Sequence, residues 1–592
     1  MCGIIGYKGK QESCEIILEC LKNLEYRGYD SVGMAIKDKN IEIKKDIGNI
    51  AEVDKKVKFQ LMKGNLGIAH TRWATNGKVT KINSHPHTSN DNEVIIVHNG
   101  IIENYQELKK ELEKINITCK SETDSEVIAQ LISLYLKKNN DIEKAINDTL
   151  KKLQGSYAIV GLLKSKNILF FAKNESPLVI GIKENQNKIK EFFIASDVPA
   201  FLKYTNKIYY LDDLEYGIID ENIIFKSLKK EGKIIKKYEK IKWDVEQAKK
   251  GNFEHYMLKE IYEQIATIPK SILQPKKLIK NVTKTLKNAY GIFFVACGTS
   301  YHAAVSASYL FTHIAKMHVN VTLASEFRNY KEYLTDKTII IAISQSGETA
   351  DLIDAIKIAK EKNTKIISIV NVMGSTITRM SDYNIMMNAG PEICVLSTKS
   401  YTSQIAILLY LAYSITNKQE KAKKTIKSLG IKIQDIININ QNKIKKIANK
   451  IKKTNSLFLV GRDLAYPSAL EGALKIKEVS YIHAEGFAGG ELKHGTIALI
   501  EKDIPCIVLA TTNTRNMILS NASEIKSRGG YIIGIDSEPN TIYDTFLKVP
   551  ELDTANPISL IIPIQLLAYY LAINKKCNPD KPRNLAKSVT VK

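Results

Sequence analysis

Three nearly continuous apolar runs recur between residues 291 and 370: Gly291-Ile292-Phe293-Phe294-Val295-Ala296, Thr338-Ile339-Ile340-Ile341-Ala342-Ile343 and Lys365-Ile366-Ile367-Ser368-Ile369-Val370. Helix-patterned sequence separates them. A strand that is apolar at almost every position has no wet face. It fits a parallel sheet covered by helices on both sides, so this region is predicted to be α/β and doubly wound. The pattern then repeats. Ser456-Leu457-Phe458-Leu459-Val460-Gly461 leads into a helix as the strand ending at Ala296 does. Cys506-Ile507-Val508-Leu509-Ala510 runs into Thr511-Thr512-Asn513-Thr514, as the strand before it in the pattern runs into Ser344-Gln345-Ser346-Gly347. Two copies of one α/β domain are expected, at 276–416 and 441–582. A Lys-rich helical stretch near 420–450 joins them, and an aperiodic tail follows at 583–592.

Residues 2–220 read differently. Short β runs at Ile4-Ile5, Leu66 to His70 and Val94 to His98 alternate with a few helices. Cys14 to Leu24 is one helix, and Asp124 to Leu136 is another with Ser121, Thr123 and Asp124 as plausible caps. Ala158 to Leu163 and Ile168 to Ala172 read as a hairpin. This mixture predicts α+β with stacked sheets. Residues 221–275 are expected to be a linker with a lead-in helix.

A chain of 592 residues corresponds to about four domain-sized units at roughly 150 residues each. Its net charge of +23 invites a nucleic-acid reading. The lysines, however, are spread along the whole chain. Their densest patch, Lys229, Lys230, Lys233, Lys236, Lys237, Lys240 and Lys242, falls in the expected linker, so no nucleic-acid partner is expected. No uninterrupted apolar run approaches the ~18 residues that span a bilayer, and no secretory leader is read at the start. A cytoplasmic protein without a membrane partner is expected. The eight cysteines form no Cys-x-x-Cys pair, which argues against a metal site, and Cys297, Cys394 and Cys506 sit in apolar surroundings as expected buried thiols. Disulfides are not expected.

The second residue is Cys2. Removal of Met1 would put a thiol and a free α-amino group on one carbon, joining a nucleophile to a base that titrates near ~8. Three further segments carry chemistry that glutamine needs. Arg72 can fork onto an α-carboxylate. Asp124 can take an α-ammonium. The Asn99 amide and the Gly100 N–H can receive an oxyanion. Taken singly, each has a plainer reading: a surface arginine, a helix cap, a turn.

Together, CGIIGY, LEYRGYDSVG, HTRWATNG, NSHPHTS, VHNGIIENY and SETDSEVIA resemble the class II glutamine amidotransferase domain, one of the N-terminal nucleophile hydrolases. The resemblance covers most of the first ~130 residues. It implies an αββα sandwich, Cys2 as nucleophile, and Asn99 and Gly100 as oxyanion hole. It also implies Arg72, Trp73, Thr75 and Asp124 as glutamine-binding residues, with Trp73 gating an ammonia passage.

Ser344-Gln345-Ser346-Gly347-Glu348-Thr349 sits between a buried strand and a helix start. Hydroxyls and backbone N–H groups there suit an anion, and no Walker lysine accompanies them. Thr299 and Ser300 add hydroxyls at the neighbouring strand's end. These loops, the repeat, Leu470 to Glu478, Ser397-Thr398-Lys399, Glu491 to Gly495 and Pro582 to Val591 resemble sugar isomerase (SIS) domains. That resemblance implies Ser344, Gln345, Ser346, Thr349, Thr299, Ser300 and Ser397 around a sugar phosphate. It implies Lys587 as a Schiff-base lysine, Glu478 as the base that moves a proton between carbons, His494 in ring opening and Lys475 in support of Glu478. Joined to the amidotransferase half, it implies transfer of the glutamine amide nitrogen to fructose 6-phosphate and isomerisation to glucosamine 6-phosphate. No cofactor is implied, and a homodimer is. The departures are Thr496, Asn76 and Ile265, where proline, histidine and proline are frequent. Two alternatives stay open: a phosphoribosyl-pyrophosphate amidotransferase, which needs a paired-acidic loop not found here, and a non-catalytic SIS sugar-phosphate sensor.

Overall fold

The computed structural model describes residues 2–74, 76–184, 190–241 and 250–590. The chain forms two compact units, Met1–Glu246 together with Ala586–Lys592, and Gln247–Leu585.

The amino-terminal unit holds two mixed-length antiparallel sheets. One has eight strands in the order Glu239–Lys240, Lys207–Tyr210, Val179–Glu184, Lys190–Ala195, Gly3–Lys8, Leu66–Arg72, Ser31–Lys37 and Ile41–Ile47. The other has seven, in the order Lys230–Ile234, Ile223–Ser227, Glu215–Ile219, Leu169–Asn174, Gly155–Leu163, Val94–Ile102 and His87–Thr88. Side chains alternate along each strand, so the central strands serve two cores. Ile4, Ile68, Ile180 and Ile194 of the first sheet meet Ile95, Val97, Val160 and Phe171 of the second. Ile5, Tyr7, Ala69 and Phe193 face the opposite way, onto helices Ser13–Lys22 and Ile50–Val57. Ile96, Ile159 and Phe170 do the same toward helices Tyr105–Glu113, Glu126–Asn139 and Ile142–Leu150. Helices, sheet, sheet and helices are thus stacked in that sequence.

The expected linker is corrected here. Residues 223–227, 230–234 and 239–240 are strands that pair with the two sheets. Lys236 of the basic patch reaches Asp212 at 3.2 Å and Glu215 at 2.7 Å. Lysines on edge strands with one wet face carry no apolar signature, which is why this stretch reads as unstructured. Lys242 lies outside the described residues. The helix expected at 124–136 begins at Glu126, and neither Ser121, Thr123 nor Asp124 caps it. Glu126 instead accepts the N–H groups of Lys120 and Ser121, while Asp124 Oδ2 accepts that of Ile102 at 2.8 Å.

The second unit contains two five-stranded sheets, each wholly parallel and each in the spatial order second, first, third, fourth, fifth. The first is Asn320–Leu323, Gly291–Ala296, Thr338–Ser344, Lys365–Val370 and Tyr383–Met386. Its counterpart is His483–Ala488, Ser456–Gly461, Pro505–Leu509, Tyr531–Asp536 and Thr545–Lys548. Both share one helical layer. Helices Tyr256–Ser271, Lys399–Ile415, Gln419–Ile451 and Asn556–Asn574 pack with Ile292, Phe294, Ile339 and Ile341 of one sheet and Leu457, Leu459, Ile507 and Ile533 of the other. The N–H groups of Tyr256 and Met257 at the start of the first of these helices are accepted by the Asp580 carboxylate, at 2.9 and 2.7 Å.

Among the described residues, one helix, Asp553–Asn574, is long and apolar enough to cross a membrane, with a mean hydropathy of 1.5. It escapes a search for uninterrupted apolar runs because Ser559 and Gln565 break it. Its most apolar stretch is 89% buried inside the unit, where it forms part of the shared layer. All eight cysteines are free thiols; Cys394 and Cys506 are buried as expected, but Cys297 is partly exposed at the end of its strand.

Candidate active sites

Cys2 lies beside the end of strand Leu66–Arg72, against the backbone of Trp73. The Trp73 N–H donates to Cys2 Sγ at 3.1 Å, and the thiol points back to the Trp73 carbonyl at 3.4 Å. Burial pushes the thiol above its ordinary value; the amino terminus, the Trp73 N–H, Arg72 and Arg27 pull it the other way. The thiol therefore needs a base before it can attack. Trp73 itself is half-buried, its ring edge-on to Tyr29 at 5.6 Å.

Asn99, on strand Val94–Ile102, is buried and sends its amide nitrogen to the Cys2 carbonyl at 2.9 Å and to Ser196 Oγ at 3.0 Å. Its amide oxygen faces His70 Nε2 at 3.0 Å. Gly100 follows with φ +129°, and a Cβ there would stand 2.1 Å from the Ser156 carbonyl oxygen. Only glycine fits that backbone.

Arg72 is buried, and a collar of carbonyls holds its guanidinium: Lys78 at 3.1 Å, Gly77 at 3.2 Å and Asn76. Its charge acts on Cys2, and the charges of Asp30 and Asp124 act on it. The structure thus gathers Cys2, the Trp73 backbone and Asn99 in direct contact, with Arg72 as their electrostatic neighbour. Thr75 lies outside the described residues.

Arg27, Ser196 and His70 join this site without having been picked out. Arg27 Nε donates to the Cys2 carbonyl at 3.3 Å. Ser196 Oγ accepts from the Ile4 N–H at 2.8 Å as well as from Asn99. Arg27 sits inside the LEYRGYDSVG stretch and could have been read there. Ser196, 192 residues from Ile4, has no local signal.

In the second unit, the first and third strands of the first sheet lie side by side while their connections run to opposite edges. Ligands bind at such a switch point. Ser344 Oγ lies 2.9 Å from Thr349 Oγ1 and accepts the Gly347 N–H at 3.0 Å. Ser346 Oγ accepts the Glu348 N–H at 3.1 Å. Gly347 has φ +67°, and a Cβ would come within 2.0 Å of Ser375 Oγ. Thr349 makes no side-chain cap to helix Ala350–Glu361. Gln345 is half-buried. Ser300 is buried, its hydroxyl oxygen accepting from Gln404 Nε2 at 3.0 Å. Ser397 is half-buried in a turn held by Glu392, which accepts the N–H groups of Thr398 and Ser400 at 3.0 Å each.

The expected Lys475–Glu478 pair is present, but it is part of a larger cluster. Lys475, fully buried on helix Ala465–Ser480, forms ion pairs with Glu478 Oε2 at 2.8 Å and with Glu471 at 3.3 Å, and donates to Thr299 Oγ1 at 3.0 Å. Glu471 also accepts from Thr299 Oγ1 at 3.1 Å and faces His302 Nδ1 at 2.8 Å. Burial alone would lower the Lys475 ammonium, but the carboxylates of Glu471 and Glu478 outweigh it and hold it above its ordinary range. This amine stays protonated. Glu471 and His302 were missed, although Glu471, four residues before Lys475 and seven before Glu478, shares their helix face.

His494 closes the short turn Gly489–His494 and is exposed. Lys587 is half-buried in Ala586–Lys592, which groups with the amino-terminal unit, whereas Glu478 belongs to the other. In the second copy, Thr511 Oγ1 and Thr514 Oγ1 lie 3.0 Å apart, but Arg515 at the following helix start pairs with Asp536 at 3.2 Å.

Two family models match: the SIS domain over residues 285–414 and 450–575, and a glutamine amidotransferase domain over 70–203. The glutamine–fructose-6-phosphate aminotransferase (isomerizing) of Pyrococcus horikoshii is 45% identical over 603 residues, covering 100% of both chains. That of Thermococcus kodakarensis is 43% identical over 607 residues, again covering both chains fully. Among solved structures, the C-terminal domain of glucosamine-fructose-6-phosphate aminotransferase from Francisella tularensis aligns with a TM-score of 0.52 at 35% identity. It covers 56% of this chain and 99% of that one.

Proposed function

The chain belongs to the glutamine–fructose-6-phosphate aminotransferase (isomerizing) family, and from that premise we propose how its residues divide the reaction. It is an enzyme: it transfers the amide nitrogen of L-glutamine to D-fructose 6-phosphate, releases L-glutamate and isomerises the product to D-glucosamine 6-phosphate.

In the amino-terminal unit, which we read as an N-terminal nucleophile hydrolase, Met1 is removed and the Cys2 α-amine takes the thiol proton. The sulfur attacks the glutamine side-chain carbonyl. The oxyanion is received by Asn99 Nδ2 and the Gly100 N–H, donors fixed before the charge develops. The nitrogen leaves as ammonia, and water hydrolyses the thioester to glutamate. Arg72 holds the substrate carboxylate, Asp124 its ammonium, and Trp73 and Thr75 line the pocket. One observation carries this reading: the Asn99 amide nitrogen lies 2.9 Å from the carbonyl of Cys2 itself.

In the second unit, Ser344, Gln345, Ser346 and Thr349 hold the phosphate, with Thr299, Ser300 and Ser397 beside the sugar. His494 opens the ring and Lys587 forms an imine with the ketose carbonyl. Ammonia displaces the lysine, and Glu478, held by Lys475, moves a proton from carbon one to carbon two. We read the active form as a homodimer, as the family resemblance implies. A cytoplasmic setting suits these substrates.

The test is incubation of the purified chain with L-glutamine and fructose 6-phosphate, following glutamate and amino-sugar, with the mass of the mature amino terminus measured in parallel. Stoichiometric glutamate and glucosamine 6-phosphate from a chain that starts at Cys2 is the expected result. A sugar-phosphate sensor would bind the sugar and release nothing.

A further inference from the structure

Asn99 can donate to an oxyanion only if its amide nitrogen, rather than its oxygen, is turned toward Cys2. The two ends of an amide side chain have almost the same shape, so packing does not choose between them. A hydrogen bond of fixed polarity must do so.

His70 supplies it. Its Nε2 lies 3.1 Å from the His98 carbonyl oxygen and 3.0 Å from the oxygen of the Asn99 side chain. A backbone carbonyl only accepts, so Nε2 must carry the proton. An N–H placed there can donate to the oxygen end of the Asn99 amide but finds no acceptor in its nitrogen end. The nitrogen end is then left facing the Cys2 carbonyl and Ser196 Oγ. Had the amide been reversed, two N–H groups would meet head to head inside the core, each a buried donor without an acceptor.

The lock is itself held rigidly. His70 lies on a central strand, opposite Ile4 on one side and Gly33 on the other. It is 1% exposed, and its ring stacks on His85 at 4.1 Å. Its Nδ1 is buried with no hydrogen-bond partner among the described residues, as an unprotonated ring nitrogen would be. Desolvation holds the ring down to about 3, so it stays neutral across working pH.

We propose that His70 is a positioning residue for the glutamine half-reaction: it touches no substrate, but fixes the Asn99 side chain with its nitrogen toward the thiol-bearing residue. This rests on the reading of Asn99 as the oxyanion donor.

The experiment measures glutamine hydrolysis by the full chain carrying His70→Leu, His70→Gln, Asn99→Ala, or His70→Leu with Asn99→Ala. Glutamine places an N–H where Nε2 was; leucine fills the space without one. His70→Leu should lower kcat by about 10- to 100-fold, less than outright loss of a donor, with KM for glutamine within about twofold of the parent. His70→Gln should recover to within about fivefold of the parent, and the double variant should be no slower than Asn99→Ala. The proposal is overturned if His70→Leu keeps the parental kcat, if His70→Gln is as slow as His70→Leu, if only KM changes, or if the two losses multiply. Asn99→Ala at the parental rate would sink the oxyanion reading and this proposal with it. A slow Asn99→Ala beside a fast His70→Leu would sink this proposal alone.

Discussion

The Lys475 ammonium stands 2.8 Å from the Glu478 carboxylate, and its remaining hydrogen-bonding capacity is taken by Thr299 and Glu471. Its role is therefore geometric. It fixes a carboxylate on one helix at a set distance from a hydroxyl at the start of another.

Lys475→Met removes that tie and leaves the fully buried Glu471 carboxylate with less compensation. An uncompensated buried charge costs about 3–5 kcal/mol. We expect a lower unfolding midpoint and loss of sugar-phosphate isomerisation, with glutamine hydrolysis retained. Differential scanning calorimetry and the two separate assays check this; parental isomerisation by the folded variant would contradict it.

Cys2→Ala should abolish glutamine-dependent synthesis and leave isomerisation of the sugar phosphate intact. Lys587→Ala should do the reverse, impairing amino-sugar formation while glutamine is still hydrolysed. Measured side by side, the two variants ask whether the activities separate. Joint loss in either folded variant would show that they do not.

Gly347→Ala places a methyl group at φ +67°, with Ser375 Oγ 2.0 Å away. The loop must distort, at about 1–3 kcal/mol. If the loop holds phosphate, KM for fructose 6-phosphate rises about tenfold or more, and binding of inorganic phosphate weakens with it. Steady-state kinetics decide, since an unchanged KM would remove the phosphate from this loop.

Four buried histidines, His70, His85, His87 and His98, are all held below their ordinary value by desolvation, His70 to about 3. Below pH 6.5 the unfolded chain takes up protons that the folded one refuses. Stability therefore falls as pH drops through that value, by up to about 1.4 kcal/mol per pH unit for each histidine. Trp73 lies in the amino-terminal unit beside Cys2, so its fluorescence follows that unit. Urea midpoints measured at pH 7, 6 and 5 should decline steeply. A flat profile would mean that the histidines are not buried neutral.

What the sequence disclosed follows from how local each signal is. Thr338–Ser344 could be read because each residue in it faces a core, and a fully apolar strand resembles little else. Cys2, Asn99 and Arg72 could be read because they fall in compact motifs whose chemistry is complementary. The strands at 223–240 could not, because their exposed faces carry lysine. Asp580 capping a helix more than three hundred residues earlier could not, nor could Ser196 bridging Ile4 and Asn99. Such contacts exist only after the chain has closed on itself. Glu471 lies between these cases: its spacing was visible, but nothing in the sequence told it from a solvated glutamate.

The helical layer shared by the two parallel sheets carries a last consequence. Neither copy owns its foundation, so cutting the chain between them would strip both of half their cover. They should therefore melt as one cooperative block. A duplicated domain bound in this way is also free to drift in its loops. One copy has a glycine-hinged turn of hydroxyls, while the other closes the corresponding corner with an arginine clasped to an aspartate and carries Lys475 and Glu478 on a different element.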